Sequence, residues 1–99
     1  MLRLGWFSTG RGKGSRGLLS VVAEAIQRGE LNAEIAFVFC NRDPGEHAGS
    51  DEYIALVQGF GIPLITHSSQ RFRIAQGAPK FSSVRESYDR EVMALLAEQ

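Results

Sequence analysis

Three observations predict an α/β fold, a three-layer βαβαβα unit with a parallel sheet that makes half of a doubly wound domain. The run "AEIAFVFCN", residues 33–41, is almost continuously apolar and rich in β-branched and aromatic side chains, as a strand covered on both faces must be. The segment "STGRGKGSRGLL", residues 8–19, places glycines and cations between a strand-compatible stretch and a helical one. Stretches with helical spacing then alternate with apolar runs to the end of the chain. Crossovers of that length demand parallel strands joined right-handedly. The 99 residues, 43% hydrophobic and 22% charged, supply one core, so a single domain over 1–99 is expected.

The elements follow in order. "LRLGWF", residues 2–7, reads as the first strand. Ser15 is in position to cap a helix in which Leu18, Leu19, Val22, Ala25 and Ile26 recur at helical spacing, with Gly29 as the stop. After the second strand, "RDPGEHAG" is a loop by composition, and Ser50, Asp51 and Glu52 open a second helix. Its apolar face is Tyr53, Leu56, Val57 and Phe60, and Gly59 and Gly61 end it. "IPLITHS" gives a third strand with Pro63 near its start, where a missing N–H does least harm. Residues 69–80, with Arg71, Arg73 and Lys80, read as a long loop. Ser83 and Glu86 have capping-box spacing for a last helix carrying Tyr88, Val92, Leu95 and Leu96 on one face.

Composition limits the function. No apolar stretch reaches the roughly 20 residues of a membrane span, and "MLRLGWF" lacks the features of a signal peptide, so a cytoplasmic location is expected. The single cysteine, Cys40, lies within the apolar run and reads as a buried thiol. The formal net charge is zero, yet Arg3, Arg11, Lys13 and Arg16 all precede the first acid, Glu24, so positive charge gathers around the glycines.

Residues 12–17, "GKGSRG", match G-x-G-x-x-G between a strand and a helix. A glycine-rich backbone there aims several N–H groups at one anion, and the helix N-terminus adds partial positive charge. Gly12, Lys13, Gly14, Ser15 and Arg16 are therefore the candidate phosphate-binding residues. The nucleoside triphosphatase loop is excluded, because Gly5 and Gly10 have its spacing but Arg11 and Gly12 follow where Lys and Ser or Thr are needed. A nicotinamide enzyme calls for an acid closing the second strand, where Asn41 and Arg42 stand instead. Arg42 suits the extra phosphate of NADP, so an NADP- or nucleotide-binding module is the alternative.

The combination of "GKGSRGLL", "FVFCNRD", "GIPLITHSS" and "SSVRESYDREVMALL" resembles the phosphoribosylglycinamide formyltransferases of purine synthesis across essentially the whole chain. The resemblance implies the N-terminal part of the formyltransferase fold. It implies a glycine loop holding the substrate phosphate through the backbone of Gly14, Ser15 and Arg16, with Arg16 where the family usually has Asn. It also implies a role for Arg85 toward the co-substrate 10-formyltetrahydrofolate, with no tightly bound cofactor. The family's catalytic Asn, His and Asp lie in a second half with which nothing here aligns, so no catalytic residue is assigned and the chain is expected to bind rather than catalyse alone. His47 and His67 lack a matching constellation, and no motif has metal-ligand spacing.

In that family the first strand is flanked by one that this chain lacks, leaving "LRLGWF" as an apolar edge with Trp6 and Phe7. A homo-oligomer, or a partner supplying the missing half, is expected there. Nucleic-acid binding through Arg11, Lys13, Arg16, Arg71, Arg73 and Lys80 is disfavoured by the zero net charge and the lack of a recognition signature. A non-catalytic regulatory or interaction domain is the remaining class.

Overall fold

The computed structural model describes residues 1–10 and 12–98. Three strands, β1 (Leu2–Ser8), β2 (Ala33–Cys40) and β3 (Leu64–Thr66), form one parallel sheet in the order β1-β2-β3. The helices are α1 (Lys13–Gln27), α2 (Ala48–Gly59), α3 (Ser69–Ala75) and α4 (Arg85–Leu96), with a 3₁₀ turn over Phe81–Ser83.

The sheet is covered on both faces because β2 alternates within an apolar sequence. Val38 packs with Leu19 of α1 and Tyr53 and Val57 of α2, while its neighbour Phe39 packs on the other face with Phe72 of α3 and Tyr88 of α4. The three layers expected of a half-doubly-wound unit are present. Residue pairing runs from Leu2↔Ala33 to Ser8↔Cys40 and shifts between Leu4 and Gly5. At that irregularity the Phe37 ring lies over Gly5, where a Cβ would come within 2.6 Å of its Cζ. Glycine at this position is a packing requirement.

α1 turns Leu19, Val22, Ala23 and Ile26 inward, a stripe at i, i+3, i+4 and i+7. Leu18, expected on that face, lies about 100° off the stripe and is 59% exposed. Gly29 ends the helix region at φ 76°. Trp6 also departs from expectation: it packs against the Tyr53 cluster, and of the two aromatic residues on β1 it is Phe7 that is exposed, at 58%.

The remaining differences concern caps. α1 starts at Lys13 after an extended Gly12, so Ser15 lies inside the first turn and does not cap it. α2 starts at Ala48, because the His47 Nδ1 accepts from the Gly49 N–H at 3.0 Å and opens the helix before Ser50. The expected loop over 69–80 contains α3, capped by Ser68, whose hydroxyl accepts from the Arg71 N–H at 3.0 Å. No capping box forms at Ser83, because the Ser83 N–H that Glu86 would have to reach is taken by the Lys80 carbonyl at 3.2 Å within the 3₁₀ turn, and α4 begins one residue later with Val84 as its uncapped N-cap. Among the described residues no helix is long and apolar enough to cross a membrane.

The glycines of the β1–α1 segment should differ in stability effect. Gly10 has φ 66° and a Cβ there would lie 2.6 Å from Tyr53 Cγ, whereas a Cβ on Gly17 meets nothing within 4 Å. Urea unfolding should show Gly10→Ala losing about 2–3 kcal/mol and Gly17→Ala gaining about 0.5–1 kcal/mol.

Candidate functional site

The carboxyl ends of parallel strands gather the loops that can hold a ligand. β1 ends at Ser8, whose Oγ accepts from the Gly10 N–H at 2.9 Å. The Thr9 carbonyl accepts from the Ser50 hydroxyl at 2.9 Å and, more weakly, from the Cys40 thiol at 3.6 Å. Gly10 rests on the Tyr53 ring. The entry to the glycine segment is thus tied to β2 and α2. Arg11, expected among its cations, lies outside the described residues.

Gly12 precedes α1 in extended conformation with no side-chain cap, and the first turn carries no acid. The N–H groups of that turn have no intrahelical acceptors. Cβ atoms built on Gly12, Gly14 and Gly17 meet nothing within 4 Å, and none of the three has positive φ. Packing and backbone strain therefore do not call for glycine here, and two of the three sit inside a helix, where each costs about 0.5–1 kcal/mol relative to alanine. What they provide is an uncovered backbone surface over the first turn.

The predicted residues divide into two groups. Gly12, Lys13 and Gly14 are exposed and Ser15 is half-buried. Arg16 is turned toward α2: its Nη2 lies 3.1 Å from Glu52 Oε2, and its Nη1 donates to the Gly49 carbonyl at 3.4 Å. The other cations are largely committed. Arg42 donates to the Asn41 carbonyl at 3.1 Å and the Ser69 hydroxyl at 3.0 Å. Arg71 pairs with Asp43 at 3.3 Å, and Arg73 donates to the Ala78 carbonyl at 3.0 Å. Glu46 joins the neighbouring loops, accepting from the Ser68 hydroxyl at 2.7 Å and from the Asp43 N–H.

A cleft of about 450 Å³ lies between β1 and α4, with Phe7, Phe39 and Val92 as apolar walls and Thr9, Asn41 and Asp89 as polar ones. Asn41 Oδ1 is buried without a hydrogen-bond partner. The Tyr53 hydroxyl is likewise unpartnered: burial pushes its pKa up, against a smaller opposing effect of the nearby Ser8 and Trp6 side chains, which lie outside hydrogen-bond geometry. Arg85 is exposed at the start of α4, one turn before Tyr88, and has no ion pair among the described residues.

The histidines have structural partners. His47 caps α2, and His67 Nε2 lies 2.9 Å from Glu91 Oε2, its ring stacked on Tyr88 at 5.0 Å. Cys40 is fully buried, as expected, and burial pushes its thiol up against a smaller opposing effect of the Arg42 amide and guanidinium. The described residues contain no cluster of three or more groups able to hold a metal.

Glu46 is a polar residue here that the sequence did not single out, and Ser50 was singled out only as a helix start. Glu52 was legible only as part of a helix start, and its proximity to Arg16 is a consequence of α1 and α2 covering the same sheet face. Comparison of the chain with protein-family models, with curated proteins and with solved structures returns no match.

Tyr88 fastens α4 to the carboxyl edge through its hydroxyl, which donates to the His67 carbonyl at 2.5 Å. Burial, opposed more weakly by Arg42, pushes its phenol up to about 12 from the ordinary 10.0. Between those values the unfolded chain has lost a proton that the native chain keeps, so stability falls as pH rises. Tyr88→Phe should cost about 1 kcal/mol at neutral pH and flatten that alkaline decline, as urea titrations on either side of the ordinary phenol pKa would show.

Proposed function

We propose that the chain is the substrate-phosphate-binding half of a folate-dependent formyltransferase, serving formyl transfer from 10-formyltetrahydrofolate to phosphoribosylglycinamide. One observation carries the phosphate part: α1 opens with exposed glycine backbone, no side-chain cap, no acid in its first turn, and Lys13 and Arg16 within that turn or just after it. Cations at the positive end of a helix are unfavourable, and a bound anion relieves them. The formyltransferase part rests on the resemblance of "GKGSRGLL", "FVFCNRD", "GIPLITHSS" and "SSVRESYDREVMALL" to that family.

In this reading the free N–H groups of Gly14 and Ser15 take the phosphate oxygens while Lys13 adds charge from the exposed side; the Arg16 N–H, four residues after the N-cap Gly12, is the first to bond within the helix. The cleft between β1 and α4 is lined by Ser8 and Thr9 at the start of the glycine segment, at the same carboxyl end of β1, and leaves room for the rest of a ligand. An exposed Arg85 with no ion pair among the described residues fits a carboxylate of the co-substrate. The groups that relay protons during transfer would come from a further polypeptide segment or partner, so the chain alone binds without turnover. The NADP alternative is weaker, because the Arg42 guanidinium is occupied by Asn41 and Ser69.

Calorimetric titration in low salt should show saturable binding of phosphoribosylglycinamide and of ribose 5-phosphate. Gly14→Val places its side chain in open space and leaves the fold intact, yet covers the first-turn backbone. It should weaken both ligands by about tenfold, the worth of one charge-assisted hydrogen bond. Binding of NADP alone would favour the nucleotide module, and no binding by either phosphate compound would overturn the cradle.

The same proposal places a second strand on β1, from another copy or from the polypeptide that supplies the catalytic groups. β1 is an edge strand, with Leu2 61% and Phe7 58% exposed, and such edges pair. Sedimentation at micromolar concentration should show self-association, with β1 amides protected from exchange. A monomer with unprotected β1 amides would remove self-pairing.

A further inference from the structure

The contact between α1 and α2 beside the glycine segment has a consequence for how tightly any anion is held. Arg16 is the fourth residue of α1, and its guanidinium reaches across to the first turns of α2, where it meets the Glu52 carboxylate at 3.1 Å and the Gly49 carbonyl at 3.4 Å. The two partners differ in setting: the Arg16 side chain is 23% exposed and that of Glu52 64%. Lys13, the other described cation of the turn, has no ion pair among the described residues.

We infer that Glu52 is an internal competitor for the anion at the first turn of α1, holding Arg16 away from it until phosphate binds. The inference rests on the phosphate reading and adds its regulation. A phosphate on the first-turn amides brings negative charge to the same region as Arg16, so the guanidinium has two anions to choose between. The more exposed one, Glu52, is the partner that water can take over at least cost. Binding therefore includes opening the Arg16–Glu52 pair, and affinity at α1 depends on a residue of α2 that touches no ligand. Nη1 can keep its bond to the Gly49 carbonyl while Nη2 leaves Glu52, so the change is a local reorientation of one side chain.

The test is a titration with inorganic phosphate in low salt, followed by the amide resonances of Gly12 and Gly14. It compares the unaltered chain with Glu52→Gln, which keeps shape and removes charge. Glu30→Gln is the control, because Glu30 pairs with Arg28 at the far end of α1 and loses the same charge away from the site. Glu52→Gln should bind phosphate about fivefold more tightly, the upper range for an exposed ion pair, and Glu30→Gln should match the unaltered chain. In an Arg16→Gln background the Glu52→Gln effect should vanish, since the competition acts through that guanidinium. Equal affinity of Glu52→Gln and the unaltered chain, an equal gain in Glu30→Gln, or a gain that persists without Arg16 would overturn the inference while leaving the cradle standing. Absence of phosphate binding in every variant would overturn the cradle itself, and this regulation with it.

Discussion

The position of the β1–α1 turn depends on the contact of Gly10 with Tyr53. Tyr53 is fully buried among Leu19, Val38 and Val57, so its ring is a fixed floor. A residue with a Cβ cannot lie on that floor in the conformation Gly10 adopts. Because the backbone sits flat on the ring, the Thr9 carbonyl comes within reach of the Ser50 hydroxyl, and the first turn of α1 is set against that of α2. The buried core and the exposed glycine backbone are thereby parts of one arrangement: the core fixes the strand end, and the strand end aims the helix.

That arrangement carries an electrostatic conflict. α1 has Lys13 at its first position, no acid in its first turn and no base in its last, which is the reverse of what the helix dipole favours. α2, by contrast, has Asp51 in its first turn, accepting from the Gly45 N–H at 2.8 Å. The same fold therefore satisfies one helix N-terminus internally and leaves its neighbour to a partial remedy, the reach of Arg16 toward Glu52. Local violations of this kind mark the places where a fold gives up stability for another purpose. Uncovered glycines at the same turn point the same way.

What the sequence made legible follows from how far each signal reaches. The parallel sheet, the burial of β2 on both faces and the inward stripe from Leu19 to Ile26 are patterns of period two or 3.6, carried by the residues themselves. Caps were less legible because they are contests between neighbours. Ser50 and Ser15 are both good capping residues, but His47 and the extended Gly12 come first along the chain and open their helices before them. α3 was hidden because seven residues expose a stripe too short to register, with Phe72 its only buried side chain. At the site, the glycines and Lys13 could be read directly, since their meaning lies in the strand-loop-helix order. The pairing of Arg16 with Glu52 could not, because it joins residues that only the shared sheet face brings together.

The edge position of β1 gives the site a further dependence. Among the described residues β1 is hydrogen-bonded on one side only, to β2, and Phe7 on it makes an edge contact with Phe37 at 5.7 Å and a tilted one with Phe39 at 5.9 Å while staying mostly exposed. The cleft beside the glycine segment is walled by that same Phe7 together with Val92 of α4. A strand added to β1 would complete its hydrogen bonding and, through Phe7, narrow or extend the cleft at once. Ser8 would feel the change next, because its hydroxyl holds the Gly10 N–H that seats the turn on Tyr53. A strand paired with β1 would lie one residue from the turn that aims α1, so the proposed assembly at the edge and the proposed binding at the glycine backbone would be coupled by adjacency along a single strand.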